Sequence, residues 1–192
     1  MQHPPRHTQH AELQRHPSTP SGVDARIWVD VCWFSKRQLN LTYQLHLTNP
    51  RIWRLPSPCQ PAPAEGLWQH SCCEAFVAAL EQETAYHEFN FSPSGQWVHY
   101  AFGAERVRDP MARTGHAPPH ISVGTQPQGW RITASLALDA LPPSQQGWTL
   151  GLSAVLERDD GQLSYWALAH PRAAPDFHHP GGRCLRLPPP PL

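Results

Sequence analysis

The nonapeptide LNLTYQLHL, residues 39–47, places an apolar side chain at every second position without a fault. A period of two marks a half-buried strand, because successive side chains leave opposite faces of the pleat. Just upstream, Ile27, Val29, Val31 and Trp33 alternate in the same way, and SKRQ (35–38) separates the two runs, so together they read as a β-hairpin. Further alternating runs occupy 89–91, 98–102, 130–138, 150–156 and 165–169. Two of the connections, SPSG (92–95) and RDDG (158–161), carry the Ser, Pro, Asp and Gly of tight turns. The stretch 67–83 is rich in Ala and Glu toward its end and is read as a strand. Seven or eight strands follow, and successive hairpins predict an all-β fold, a two-sheet antiparallel β-sandwich of immunoglobulin- or jelly-roll-like type.

The chain has 192 residues, a length that suits one core. Its 23 prolines gather in the N-terminal tail, in 56–66, at Pro118 and Pro119, and in the PPPPL terminus. Proline lacks the amide proton that a sheet ladder needs, so these clusters mark loops and tails. The resulting division is a flexible Pro/His-rich tail over 1–11, a sandwich domain over 12–187 and a Pro-rich tail over 188–192. The tail histidines His3, His7, His10 and His16 read as solvated.

Fifteen basic residues balance fifteen acidic ones, which leaves no net field to attract nucleic acid or anionic lipid. Neither a signal-peptide pattern nor an apolar run of membrane-spanning length occurs, so a cytoplasmic location is expected. Five irregularly spaced cysteines, with no CxxC pair, argue against a disulfide framework or a structural zinc site.

Alternation also sorts each strand into faces. In the hairpin 87–102, Phe89, Phe91, Val98, Tyr100 and Phe102 form the apolar set, which puts Glu88, Asn90, Trp97 and His99 together on the other side. From Trp68 onward, Cys73, Ala75 and Val77 are the apolar set, with Trp68, His70, Cys72, Glu74 and Phe76 opposite. If the two segments are neighbours, Trp68, His70, Glu74, Glu88, Asn90, Trp97 and His99 make one surface. Indole faces stack on the C–H face of a sugar ring while carboxylate and amide pair with its hydroxyls. The plainer alternative has the long proline loop covering the two tryptophans, with His70 and Glu74 satisfying each other.

A second polar cluster near the C-terminus supplies Trp166, His170, Asp176, His178 and His179. His170, Asp176 and His178 are metal-ligand types, but their spacing matches no metal motif, and a loop fixed by Asp176 is the preferred reading. Phosphate-binding loops, HExxH and GxSxG are all absent from the sequence. Cys72 and His70 share a parity, which is weak ground for a nucleophile.

Four ordered motifs resemble those of the small bacterial DOMON-like domain proteins: LWQHSCCEAF (67–76), EFNFSPSGQW (88–97), LSAVLE followed by DGQLSYWALAHP (152–171), and PDFHH (175–179). The resemblance runs from about Glu12 to Leu187. It implies a β-sandwich related to the family-nine carbohydrate-binding modules and to haem-binding DOMON domains. The positions that match are Trp68, His70, Glu74, Phe76, Glu88, Asn90, Ser92, Pro93, Gly95, Trp97, Tyr100, Trp166, His170, Asp176, Phe177 and His178. Cys73 stands where the family usually has an aromatic residue, a change that by alternation falls on the core side.

The function expected from the sequence is therefore non-catalytic binding of a small, sugar-like or other polar ring ligand without a cofactor. Its candidate residues are Trp68, His70, Glu74, Glu88, Asn90, Trp97, His99 and Trp166. The alternatives are a haem or metal binder using His70, His170 or His178 with Met111, and a protein-interaction module.

Overall fold

The computed structural model describes residues 8–19, 25–112 and 117–191. Twelve strands follow one another: β1 (Thr8–Arg15), β2 (Ala25–Ser35), β3 (Gln38–Leu47), β4 (Cys72–Ala79), β5 (Gln82–Phe91), β6 (Trp97–Ala104), β7 (Val107–Arg108), β8 (His120–Gln126), β9 (Gly129–Ala137), β10 (Trp148–Glu157), β11 (Leu163–Ala167) and β12 (Leu185–Leu187). The only helical pieces among the described residues are 3-10 turns of three residues each. None is long and apolar enough to cross a membrane.

The strands pair antiparallel in the order β7-β6-β5-β4-β10-β11-β1-β2-β3-β9-β8, with β12 added on β10. This curled sheet forms the two layers of a sandwich. The first layer is β1-β2-β3-β9-β8 and the second is β7-β6-β5-β4-β10-β11. β1 serves both, because Thr8–Leu13 pair with β2 while Gln14 and Arg15 pair with β11. The β2–β3 hairpin has the register that its alternation demands, with Val29 opposite Tyr43 and Ile27 opposite Leu45.

Between the layers lies a core of Ile27, Val29, Val31, Leu39, Leu41 and Tyr43 from the first layer and Ala75, Val77, Phe89, Phe91, Leu150 and Leu152 from the second. Trp166 belongs to this core. It is 4% exposed, and its indole N–H donates to Ser164 Oγ at 3.1 Å. The expectation that Trp166 contacts ligand is corrected by parity: Ala167 and Tyr165 point to the outer face of β11, so Trp166 points in.

Four strands lie beyond the runs that alternation picked out. β1 begins at Thr8, inside the stretch read as a tail. Its outward residues pair with charged partners, His10 with Asp30 and Glu12 with Arg26, leaving only Ala11 and Leu13 as apolar signal. His3 and His7 lie outside the described residues, and the reading of His16 as solvated is corrected: it is 1% exposed, its Nδ1 2.8 Å from Ser18 Oγ and its Nε2 3.3 Å from the Arg172 carbonyl oxygen. β7 and β12 are too short to show a period, and the β8 stretch HISVGTQ is mostly polar.

One hydrogen bond joins the two layers through the core. The buried Tyr43 hydroxyl of β3 donates to the Glu74 carbonyl of β4 at 2.6 Å. Tyr43→Phe leaves that carbonyl without its cross-layer donor. It is expected to cost about 1–2 kcal/mol in urea unfolding; an unchanged midpoint would mean that the bond contributes nothing net. Trp166→Ala is expected to cost about 3–5 kcal/mol, the range for emptying an aromatic core site. A loss below about 1 kcal/mol would place its indole outside the core.

Candidate ligand-binding site

All eight residues of β4 are buried, which requires cover on both of its faces. Cys73, Ala75 and Val77 enter the inter-layer core, while Cys72, Glu74 and Phe76 point outward beneath a second apolar cluster formed with Leu67, Tyr86, Val98, Tyr100 and Phe102. The chain segments that roof this outer face come from before β4 and after β11. Between floor and roof opens a cleft of about 320 Å³.

Register assembles the floor. Glu74 stands opposite Asn90 on one side and Ser153 on the other, and Glu88 stands opposite both Phe76 and Tyr100. Glu74, Glu88 and Asn90 therefore share the face that alternation assigned to them. Trp97 and His99 do not, and that expectation is corrected. Phe91 pairs directly with Trp97 and Phe89 with His99, so both side chains stand on the core side, while Tyr100 and Phe102 join the cleft. The length of the 92–96 connection sets this pairing. One residue more or fewer would exchange the faces of β6. Trp97 is half-buried at the end of the sandwich, its backbone bonded to Ala62 and Ala64. His99 stacks on Phe89 at 4.2 Å, with Nε2 3.1 Å from His87 Nδ1.

Trp68 does line the cleft, although no strand carries it there. It sits in the 3-10 turn Leu67–Gln69, entered through Gly66 in the left-handed region (φ 73°), and is 47% exposed. His70 caps the same turn and leaves the cleft. Its Nδ1 lies 2.8 Å from Glu157 Oε2, so its partner is Glu157 and not Glu74.

The floor is acidic and dry. Glu74 is 2% exposed, and of its two oxygens only Oε2 has a partner, Ser153 Oγ at 3.4 Å; Oε1 is buried without one among the described residues. Burial raises the Glu74 carboxyl well above its usual range, and repulsion from Glu88 raises it further. Burial also raises Glu88, opposed by the Asn90 amide, which donates to Glu88 Oε1 at 2.7 Å.

One wall is a polar network that sequence reasoning only partly located. Arg106 and Arg172 both reach Asp176, at 2.8 and 2.6 Å. Burial opposes ionisation of Asp176, but the Arg106 hydrogen bond and the two positive charges hold it below its usual value. The Asp176 carboxylate accepts from the backbone N–H of His178 at 3.2 Å. The Tyr86 hydroxyl accepts from the Arg106 backbone N–H and lies 2.8 Å from His178 Nδ1, and His178 Nε2 is 3.8 Å from Glu88 Oε2. Burial first, then Arg106, push His178 down to about 4, so the imidazole is neutral near pH 7.

His170 lies elsewhere, its Nε2 2.8 Å from the Gln14 carbonyl oxygen. His170, Asp176 and His178 thus have separate engagements, and Met111 is 87% exposed on a loop. No group of three or more metal-ligand residues converges among the described residues.

The rim adds Tyr100, Arg106 and Arg108. The Tyr100 hydroxyl donates to Glu65 Oε2 at 2.5 Å and the Arg108 guanidinium lies 3.8 Å above its ring. Two arginines on alternate residues, Arg106 in the turn after β6 and Arg108 in β7, are a legible signal for this rim, but only the fold reveals which face they meet.

The buried acids make stability depend on pH with a definite sign. A carboxyl raised in the fold stays protonated where the unfolded chain has already released its proton, so stability falls as pH rises above about 4.5. His178 acts oppositely: it stays neutral where the unfolded chain binds a proton, so stability falls as pH drops from about 6.5 toward about 4. Glu74→Gln is expected to flatten the decline on the high-pH side and leave the low-pH side intact, read as melting temperature against pH. Parallel curves for variant and wild type would remove Glu74 as the source.

No protein-family model matches the chain, and no curated protein matches it in sequence. Solved structures do match in fold. One is a putative carbohydrate-binding protein from Bacteroides uniformis, at 16% identity and a TM-score of 0.60, covering 92% of this chain and 84% of that one. Another is a family-nine carbohydrate-binding module from Caldicellulosiruptor kristjanssonii in complex with cellotriose, at 10% identity and a TM-score of 0.54, covering 84% and 72%. A family-nine module from the same organism in complex with glucose gives 8% identity and a TM-score of 0.53, covering 81% and 74%. The chain has the fold of carbohydrate-binding β-sandwiches.

Proposed function

We propose that this chain is a non-catalytic carbohydrate-binding domain of the DOMON-like kind, taking a sugar ring into the cleft above β4 and β5 without a cofactor. The observation that carries the reading is Glu74 on the cleft floor, whose buried Oε1 has no hydrogen-bond partner among the described residues. A buried polar atom left unsatisfied is costly, and a ligand hydroxyl reaching it removes that cost. A protonated Glu74 carboxyl both donates and accepts, which matches a hydroxyl that does the same.

The surrounding groups support a ring ligand. Trp68 offers an exposed indole, Tyr100 a phenol, and Arg106 and Arg108 offer planar donors. Each arginine already faces a carboxylate, Asp176 for Arg106 and Glu65 for Arg108, so the cleft carries little free positive charge. A neutral, hydroxyl-rich ring fits these walls better than a phosphate, and the balanced net charge likewise favours neither nucleic acid nor a membrane surface. The cellotriose and glucose complexes of the structural neighbours make β-glucans the first ligands to try.

Calorimetric titration with glucose and cellotriose, backed by a glycan array, tests the reading. Trp68→Ala is expected to weaken the sugar that binds about tenfold or more, or about 1.4 kcal/mol, with little change in melting temperature because Trp68 is 47% exposed and carried on a turn. Glu74→Gln is expected to weaken it as well. An array without a binder, or a sugar indifferent to both substitutions, would overturn the proposal.

A further inference from the structure

The two ends of the strand order are finished differently. At one end β7 has two residues, closes on Arg108, and is bulged against β6 between Phe102 and Ala104. A short, charged, bulged strand is a usual way to keep a sheet edge from recruiting another chain. At the other end β8, HISVGTQ, has seven residues, with no Lys, Arg, Asp, Glu or Pro. Its ladder with β9 runs unbroken from His120 opposite Ser135 to Gln126 opposite Gly129, and among the described residues β9 is the only strand it pairs with.

The side chains of β8 are unfinished as well. Ile121 and Val123 stand opposite Ala134 and Ile132, both core residues, so they point to the inner face of the layer. Val123 is nonetheless 39% exposed, and among the described residues no further strand covers that side. Gly124 has open space where a side chain would be.

We propose that β8 is a self-association edge: a second copy of this chain adds its own β8 antiparallel about a two-fold axis at Val123, which makes the two first layers one continuous sheet. The residues of β8 fit this occupant. Self-pairing sets Val123 against Val123, Ile121 against Thr125, Ser122 against Gly124 and His120 against Gln126, so no like charges meet and β-branched side chains face each other. A two-fold contact also forms each of the off-axis pairs twice and then closes, giving a dimer and not a filament. A foreign charged strand would find no complementary charge on this edge.

Sedimentation velocity on the full chain, over a series of concentrations, is the test. Wild-type protein is expected to pass reversibly from the 21.6 kDa monomer to a dimer. Val123→Lys and Val123→Glu are each expected to stay monomeric at every concentration with near wild-type melting temperatures, and an equal mixture of the two to regain the dimer as opposite charges meet. Val123→Thr, uncharged and β-branched, is expected to dimerise and shows that the site tolerates substitution. The proposal is overturned by a wild type that stays monomeric, by a mixture that fails to associate, or by a dimer that the charged Val123 variants do not dissolve but that is dissolved by Phe34→Lys, at an exposed apolar side chain near the end of β2.

Discussion

Two carboxyl groups held out of water on one face of a sheet are the constraint around which this molecule is arranged. Glu74 and Glu88 come from adjacent strands and are both almost fully buried. Desolvated carboxylates are costly unless neutralised or hydrogen-bonded, and here both means are used. Burial and mutual repulsion raise the Glu74 carboxyl, while Asn90 and Ser153 satisfy some of the oxygens. What remains is one oxygen on Glu74 with no partner among the described residues.

The rest of the second layer follows from that placement. Small residues on the inner face of β4 let it pack closely against the first layer, and Tyr43 reaches across to its backbone. The outer face needs a roof, which irregular chain before β4 and after β11 supplies. Asp176, clamped by two arginines, holds His178 by its backbone over Tyr86 and Phe102. The sandwich supplies a rigid floor and the loops supply a shaped wall, a division of labour common in binding domains.

The outer edge of the first layer is a separate matter, since the cleft belongs to the second layer. Its last strand, β8, is longer than β7 and carries no charged residue, whereas β7 is two residues long and ends on Arg108. Fold likeness to carbohydrate-binding modules speaks to neither edge, because architecture alone does not carry function.

Alternation, with the tight turns between the runs, determined that the chain is all-β and built from hairpins, because a period of two is a local property of each strand and survives whatever the strand pairs with. It also separated Cys73, Ala75 and Val77 from Cys72, Glu74 and Phe76, and put Glu88 with Asn90, since each set lies within one strand. Relations between strands are not local. Whether Tyr100 or His99 faces Glu88 depends on the length of the turn between them, and a single residue of slip exchanges the two sets. Trp97 and His99 were assigned to the wrong side for that reason, and Tyr100 and Phe102 were left out. Trp166 reads identically as an anchor or as a core residue until β11 is given a neighbour. Trp68, Arg106 and His178 lie on turns and loops, where no periodicity exists to place them, so only the tertiary structure could bring them to the acids on the floor.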